Sequence, residues 1–476
     1  MADDVVINYL LELLDESENS FKNELKMDKS LDKHRNIYYE LEKLVDEYLD
    51  GYVENRFITL AGLRGVGKTT ALYQIYFYLI NKKKIDKNRV LYIPADELKY
   101  IKTNLYDTIK TFIEEIHHSY PGNLKEKLFI LVDEAQSESD WSSIGKIFYD
   151  KTHNIFMIFT GSSAISFEVN VDAVRRIKKE SVFPLSFNEY IYLKHNITPP
   201  EDYEKDLVDL FFSGDIEKIM LKQNEMSMKL LTLKKPIRKE LGDFLLYGDF
   251  PYGVAMNKYE TSRRTLSMIN RIIVKDVFSL KSFNTDSIAT ITEIITYVAL
   301  QFPGGTSFRK LATILSKSTK AIRDILEVLE KTHLLFSVKP YGDPGVTIRK
   351  PWKYYFLSPS INGTLRKRFG GFSEDNPQFL GILAENYVAS YFFKLKNTED
   401  RYLNIYYDPD ENGVDFLLDL YNKIIPVEVS MGKKDKKQIK KAIAKYKSDY
   451  GIIISNTVER IRKEEDVIYI PLIAIS

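Results

Sequence analysis

The chain has 476 residues, 28% of them charged, and a formal net charge of +1, a length that allows roughly two to four domains with apolar cores. Near-neutrality removes any global electrostatic case for nucleic-acid binding and leaves local patches to make one. There is no cysteine and there are six histidines, none in an H-E-x-x-H spacing, which excludes disulfides, thiolate catalysis and Cys-type zinc sites and argues against a zinc enzyme.

The start, Ala2-Asp3-Asp4, has the wrong charge for a secretory leader, and its apolar run over residues 5–14 is broken by Asn8 and Glu12. No stretch of about eighteen apolar residues follows anywhere, so the expected location is cytoplasmic, with no membrane partner. Residues 1–50 space Ile7, Leu10, Leu11 and Leu14, then Tyr39, Leu41, Leu44, Val45 and Tyr48, as helices do. They read as a helical lead-in packed beside the next segment.

That segment carries the organising motif. An apolar run over residues 57–61 stops at a glycine, and Gly62, Leu63, Arg64, Gly65, Val66, Gly67, Lys68 and Thr69 match G-x-x-x-x-G-K-[ST], with Thr70 and a helical stretch behind them. A strand, a glycine turn and a helix N-terminus leave backbone N–H groups aimed at one point, a cradle for phosphate oxygens. In that cradle Lys68 reaches the β- and γ-phosphates of ATP and the Thr69 hydroxyl holds Mg²⁺. A chance glycine turn is the plain alternative, countered by strand, loop and helix standing in order.

Strands are expected at residues 90–93 and 128–132, the second followed by Asp133 and Glu134. Asp133 at the strand's carboxyl end would hold Mg²⁺ through water, and Glu134 would polarise the water attacking the γ-phosphate. A fourth strand, 155–159, leads into Thr160, Gly161, Ser162 and Ser163. Ser162 either touches the γ-phosphate or caps a helix. Arg175 and Arg176 are two alternatives for an arginine finger toward a neighbouring copy, or part of a solvated basic face.

The phosphate loop, VDEAQ, TGSS and a basic stretch before FPLSFNEY, with GDFP at 248–251, resemble a family of AAA+-like P-loop ATPases found in archaea and bacteria. The resemblance covers most of the chain from about residue 40. It implies a winged-helix segment and a C-terminal domain related to PD-(D/E)XK nucleases. The chain departs from that family in having no evident Gly-Arg pair after TGSS, which leaves Arg175 and Arg176 unresolved between them.

Residues 190–290 are helical in period and read as the lid of such ATPases, with Arg263, Arg264 and Arg271 as alternatives for a sensing arginine. Residues 304–340 read as a helix-turn-helix: Ser307 caps one helix, a polar turn follows, and a second helix begins near Thr319. A strand over 334–338 and a turn at 342–345 complete a wing. In a DNA reader Thr319, Lys320 and Arg323 would enter the major groove; docking of a protein is the other use.

Farther on, a helix over 380–393 bears Glu385, strands are expected at 402–407, 414–420 and 424–429, a lysine-rich helix at 434–447, and strands at 452–455 and 467–470. This order resembles the PD-(D/E)XK core, which implies that Asp415 and Glu428, with Glu385, bind a metal. The lysine that the resemblance places two residues after the second carboxylate is Ser430 here. The expected nuclease site is therefore degenerate, with Lys433, Lys434, Lys440 and Lys441 as candidates for a migrated lysine. The basic helix either holds phosphates or is simply solvated.

The expected fold is α/β: a helical lead-in (1–50), a P-loop AAA+-type parallel sheet (51–195), a helical lid (196–300), a winged helix (301–370) and a nuclease-like α/β domain (371–476). The leading function is an Mg²⁺-dependent ATPase acting on DNA-associated substrate, with ATP as ligand and homo-oligomerisation open. The alternatives are an ATP-controlled scaffold for a protein partner and an active metal nuclease.

Overall fold

Continuous apolar runs, not alternating ones, build the first sheet. Strands β1 (Phe57–Gly62), β3 (Leu128–Asp133) and β4 (Ile155–Gly161) are buried at every position, and β2 (Val90–Pro94) at all but its last. Such runs suit parallel strands covered on both faces. The computed structural model describes residues 2–27, 33–162, 169–281, 285–301, 305–370, 374, 376–421, 423–432 and 436–475. The chain divides into two units, Met1–Phe183 and Pro184–Ser476.

In the first unit five parallel strands run in the order β2-β3-β4-β1-β5, with β5 at Lys178–Val182. Helix α1 (Ala2–Met27) sets Leu10 and Leu14 in one core with Phe57, Leu91 and Ile130. Helix α2 (Asn36–Leu49) packs Tyr48 against Phe129 and Phe156. Successive strand residues face opposite ways, so the two lead-in helices cover opposite faces of the sheet. Helices α3 (Lys68–Phe77), α4 (Leu105–Thr111) and α5 (Trp141–Lys151) complete the unit. The sequence reading treats Arg175 and Arg176 as a finger or part of a solvated basic face and assigns no strand over 178–182. The structure instead makes Lys178–Val182 an edge strand beside β1, its two lysines exposed. Exposed lysines discourage further pairing at a sheet edge, which is why this strand lacks an apolar signature.

The second unit opens with helices α6 (Phe187–His195), α7 (Tyr203–Ser213), α8 (Glu217–Leu230), α9 (Ile237–Asp243), α10 (Pro251–Ala255), α11 (Lys258–Arg271), α12 (Phe278–Leu280) and α13 (Thr285–Leu300). The helices read as a lid belong to the same unit as the C-terminal sheet. The Tyr203 hydroxyl donates to the Ala474 carbonyl at 3.4 Å, and Tyr450 donates to the Phe211 carbonyl at 2.9 Å. Helices α14 (Phe308–Ile314) and α15 (Thr319–Lys331) form the expected pair, capped by Ser307 and Ser318. Strands β6 (Leu335–Pro340) and β7 (Lys353–Phe356) are antiparallel. Where a wing turn is expected at 342–345, Asp343 caps a short helix, α16 (Pro344–Arg349). An aspartate before a proline at the first helical position starts a helix as readily as a turn.

Helices α17 (Pro359–Phe369) and α18 (Pro377–Thr398) precede β8 (Asn404–Tyr407), β9 (Phe416–Asp419) and β10 (Ile424–Ser430). Helix α19 (Lys436–Tyr446), β11 (Gly451–Ser455), β12 (Arg462–Glu464) and β13 (Val467–Pro471) follow. Because β6 pairs with β8, the hairpin and the C-terminal strands form one eight-stranded mixed sheet, β12-β13-β11-β10-β9-β8-β6-β7. The polar edge strand β12 is absent from the sequence reading for the same reason as β5.

Asp249, in the GDFP stretch, is buried beside the Ser358 and Ser360 hydroxyls at the head of α17, and its carbonyl accepts from the Leu185 N–H at 2.7 Å. Burial pushes its carboxyl up to about 6, against the opposing pull of the two serines. A folded-state value above that of the unfolded chain means that the folded form binds the proton more tightly. This contribution is complete below about pH 4 and is lost as pH rises through about 6. Urea unfolding from pH 4 to pH 7 should therefore show wild type losing up to about 3 kcal/mol relative to Asp249→Asn across that window. Parallel pH profiles for the two proteins would contradict the assignment.

Candidate active site

The loop between β1 and α3 is shaped by two left-handed glycines, Gly65 at φ 81° and Gly67 at φ 96°. These turns curl the backbone so that successive N–H groups face inward at the start of α3, an anion-binding arrangement. Gly62 tolerates no side chain: a β-carbon there would lie 2.2 Å from the Val182 carbonyl oxygen. Leu63 and Val66 are buried, anchoring the loop on its apolar side, while Gly65 is exposed and Arg64, Thr69 and Thr70 are half-buried. Lys68 is buried, and its ammonium donates to the Gly62 carbonyl at 2.8 Å and the Leu63 carbonyl at 2.9 Å.

Asp133, at the carboxyl end of β3, ties the loop to the strand ends. The Thr69 hydroxyl donates to its Oδ2 at 2.8 Å and the Tyr92 hydroxyl to the same oxygen at 3.1 Å. The Thr160 hydroxyl, from β4, donates to Oδ1. Burial raises the Asp133 carboxyl above its ordinary value, and the Thr160 and Thr69 hydroxyls pull it down. A threonine hydroxyl and a carboxylate this close, both oxygen donors, fit a hard divalent cation such as Mg²⁺.

Glu134 follows in a left-handed conformation, φ 52° and ψ 41°, which costs a residue with a β-carbon about 1–2 kcal/mol. Its two carboxylate oxygens are both engaged. Arg64 of the phosphate loop lies 3.1 Å from Oε1, and the Gln136 side-chain amide donates to Oε2. Gln136 in turn accepts from the Ser162 N–H at 3.3 Å. The Ser162 hydroxyl is buried at the end of β4 without a hydrogen-bond partner among the described residues. Ser163 lies outside the described residues.

The structure thus brings together Lys68, Thr69, Asp133, Glu134 and, through Gln136, Ser162. It does not bring the two arginines in: Arg175 is exposed, and Arg176 pairs with Asp150 at 2.6 Å and donates to the Asp172 carbonyl at 2.9 Å. Tyr92, Gln136 and Thr160 were missed as site residues, although Thr160 and Gln136 lie near or just beyond a strand's carboxyl end, where ligands collect in α/β sheets, while Tyr92 sits mid-strand in β2. Arg35 was missed as well. Its guanidinium donates to the Val66 carbonyl of the loop and to the Phe183 carbonyl at 2.9 Å, and no motif marks it.

In the second unit Thr319, Lys320 and Arg323 are exposed at the start of α15, with the Arg323 guanidinium 5.5 Å from the centre of the Phe308 ring. Arg264, a lid candidate, lies over Tyr252. The metal set expected from Asp415, Glu428 and Glu385 does not form. Among the described residues no group of three histidine, aspartate or glutamate side chains could hold a metal ion. Asp415 accepts from the Val429 N–H at 2.8 Å, while Glu385 accepts from the Tyr355 hydroxyl at 2.6 Å with Lys353 3.8 Å away. Glu428 is buried within β10. Ser430 closes a local turn, donating to the Gly432 carbonyl at 2.8 Å. On the basic helix, Lys440 pairs with Glu465, Lys436 with Glu464, and Lys445 with Asp408 and Asp410. Lys433 and Lys434 lie outside the described residues.

Residues 54–191 match a family model described as an AAA domain, and residues 238–370 and 380–475 match two models described as domains of unknown function. The uncharacterized protein MJ1637 of Methanocaldococcus jannaschii is 33% identical over 436 residues, 90% of this chain and 86% of that protein. A second protein of that organism, MJ1544, is 24% identical over 362 residues, 74% of this chain and 72% of its own. Among solved structures, a variant of RuvB from Thermotoga maritima aligns at 11% identity over 65% of this chain and 90% of its own, with a TM-score of 0.29.

The Thr160 hydroxyl is the donor to Asp133 Oδ1. Thr160→Val keeps the shape and leaves that buried oxygen short of a donor, which should cost about 2 kcal/mol of stability. Urea unfolding near neutral pH measures it, and a change below about 0.5 kcal/mol would refute the role.

Proposed function

This chain belongs to the family of the M. jannaschii protein MJ1637, and we propose that its AAA domain is an Mg²⁺-dependent ATPase whose nucleotide cycle acts on a DNA-associated substrate through the second unit. The reading is carried by the Thr69–Asp133 hydrogen bond, which sets the hydroxyl of the phosphate loop and the first acidic residue of β3 2.8 Å apart. The inward N–H groups and the positive end of α3 supply fixed attraction for a triphosphate. Lys68 would exchange the Gly62 and Leu63 carbonyls for phosphate oxygens. Thr69 and Asp133 would hold Mg²⁺, whose role is to neutralise charge on the phosphates. Glu134 would take the proton of the attacking water as the bond between the γ-phosphorus and the bridging oxygen of ADP breaks.

The helix pair α14–α15 with the β6–β7 hairpin has the order of a winged helix, and DNA is its proposed ligand. Asp324 pairs with Lys281 at 2.8 Å, so Lys320 and Arg323 on the same helix have no direct ion pair among the described residues. The C-terminal sheet, in this reading, is a nuclease-like domain kept for binding. Its carboxylates serve backbone, tyrosine and lysine partners instead of a metal.

Lys68→Ala should weaken ATP binding more than tenfold, and Glu134→Gln should bind ATP yet turn it over about a hundredfold more slowly. Calorimetry and a phosphate-release assay read the two effects, and ordinary turnover by Glu134→Gln would remove the assigned base. Duplex DNA should raise the ATPase rate, and the Lys320→Ala, Arg323→Ala pair should lower the salt slope of DNA binding by about two. An unchanged slope would move the DNA contact elsewhere.

A further inference from the structure

Resting on the ATPase reading, we propose that Arg64 distinguishes ATP from ADP: it pairs with Glu134 when no γ-phosphate is present and exchanges that carboxylate for the γ-phosphate when ATP binds, releasing the base. A general base needs a carboxylate oxygen open to water. Here each oxygen of Glu134 already accepts a donor that competes with water, Arg64 on Oε1 at 3.1 Å and the Gln136 amide on Oε2. Of these two partners only Arg64 lies on the loop that wraps the phosphates, one residue before the left-handed Gly65.

The Arg64 and Glu134 side chains retain 16% and 30% exposure, so their pairing is a partly solvated contact of modest strength. A terminal phosphate carries more charge than a carboxylate and accepts two parallel guanidinium hydrogen bonds, which favours the exchange. ADP has no group in that position and leaves the pair intact. Gln136 passes the change onward, since it bonds both Glu134 and the Ser162 N–H at the end of β4. The buried Ser162 hydroxyl at that strand end is without a partner among the described residues and lies next to the group that would move.

The contact makes a prediction that a purely structural ion pair does not. Glu134→Gln removes the charge that competes with the γ-phosphate for Arg64, so it should tighten binding of the non-hydrolysable analogue AMPPCP about fivefold and leave ADP unchanged. Arg64→Gln should weaken AMPPCP about tenfold with ADP within about twofold, and Arg64→Lys should recover part of the difference. In the Arg64→Gln background, the gain from Glu134→Gln should vanish. Calorimetry with Mg²⁺ on the full chain, each variant first checked by its melting curve, gives all the values. If Glu134→Gln tightens AMPPCP equally with and without Arg64, the effect is plain relief of repulsion and the exchange is refuted. If Arg64→Gln weakens AMPPCP and ADP alike, Arg64 only shapes the loop and the proposal fails. Wild type that takes up neither nucleotide would overturn the ATPase reading itself, an outcome distinct from both.

Discussion

The buried carboxylate of Asp133 holds the first unit's working edge together. Three hydroxyls reach it, from α3, β2 and β4, so one charge fixes the relative positions of a helix and two strands around the strand that bears it. Burying a carboxylate is expensive unless donors surround it. The site meets that cost with side chains that a metal-bound phosphate could later reorganise. Tyr92 and Thr160 are polar residues in otherwise apolar strands, and both donate to this group. The phosphate loop is thereby fastened at both ends: by Gly62 against β5 at its start, and by Thr69 against β3 at its finish.

Much of this was legible in the chain because the signals are local. A strand buried on both faces writes itself as an apolar run, and a left-handed turn before a helix demands glycine, so β1, β3, β4 and the loop stand out. The hidden parts depend on long-range pairing. Edge strands β5 and β12 are polar because water and lysines cover them, and their sequences, KKESV and RKE, look like surface. Arg35 reaches Val66 from a segment well ahead of the loop, and no spacing rule connects the two. Gln136 sat inside the VDEAQ stretch, yet its bond to Glu134 follows from the left-handed backbone at 134, which periodicity does not reveal.

Among the described residues, the second unit does not gather the three carboxylates that the resemblance implied for a metal. Asp415 and Glu428 do stand close, because Asp415 bonds the backbone of the residue after Glu428. Glu385, however, is engaged by Tyr355 and Lys353 on β7. That strand enters the picture because β6 pairs with β8 and fuses hairpin and C-terminal sheet. A reading that treats the two as separate domains has no means of supplying a tyrosine and a lysine to Glu385.

The pattern of ion pairs across the same unit separates surface from candidate ligand contact. On α19, Lys436, Lys440 and Lys445 are matched to acidic residues of β12, its following turn and the loop after β8. A lysine already paired must give up that partner to bind a phosphate, which reduces the net gain and its dependence on salt. At the start of α15 the local acid is instead occupied by Lys281. Lys320 and Arg323 therefore keep their charge available, on the helix end that a groove would admit. In a chain whose net charge is +1, any nucleic-acid affinity would have to come from such local imbalance, which the start of α15 shows among the described residues and the lysine-rich helix does not.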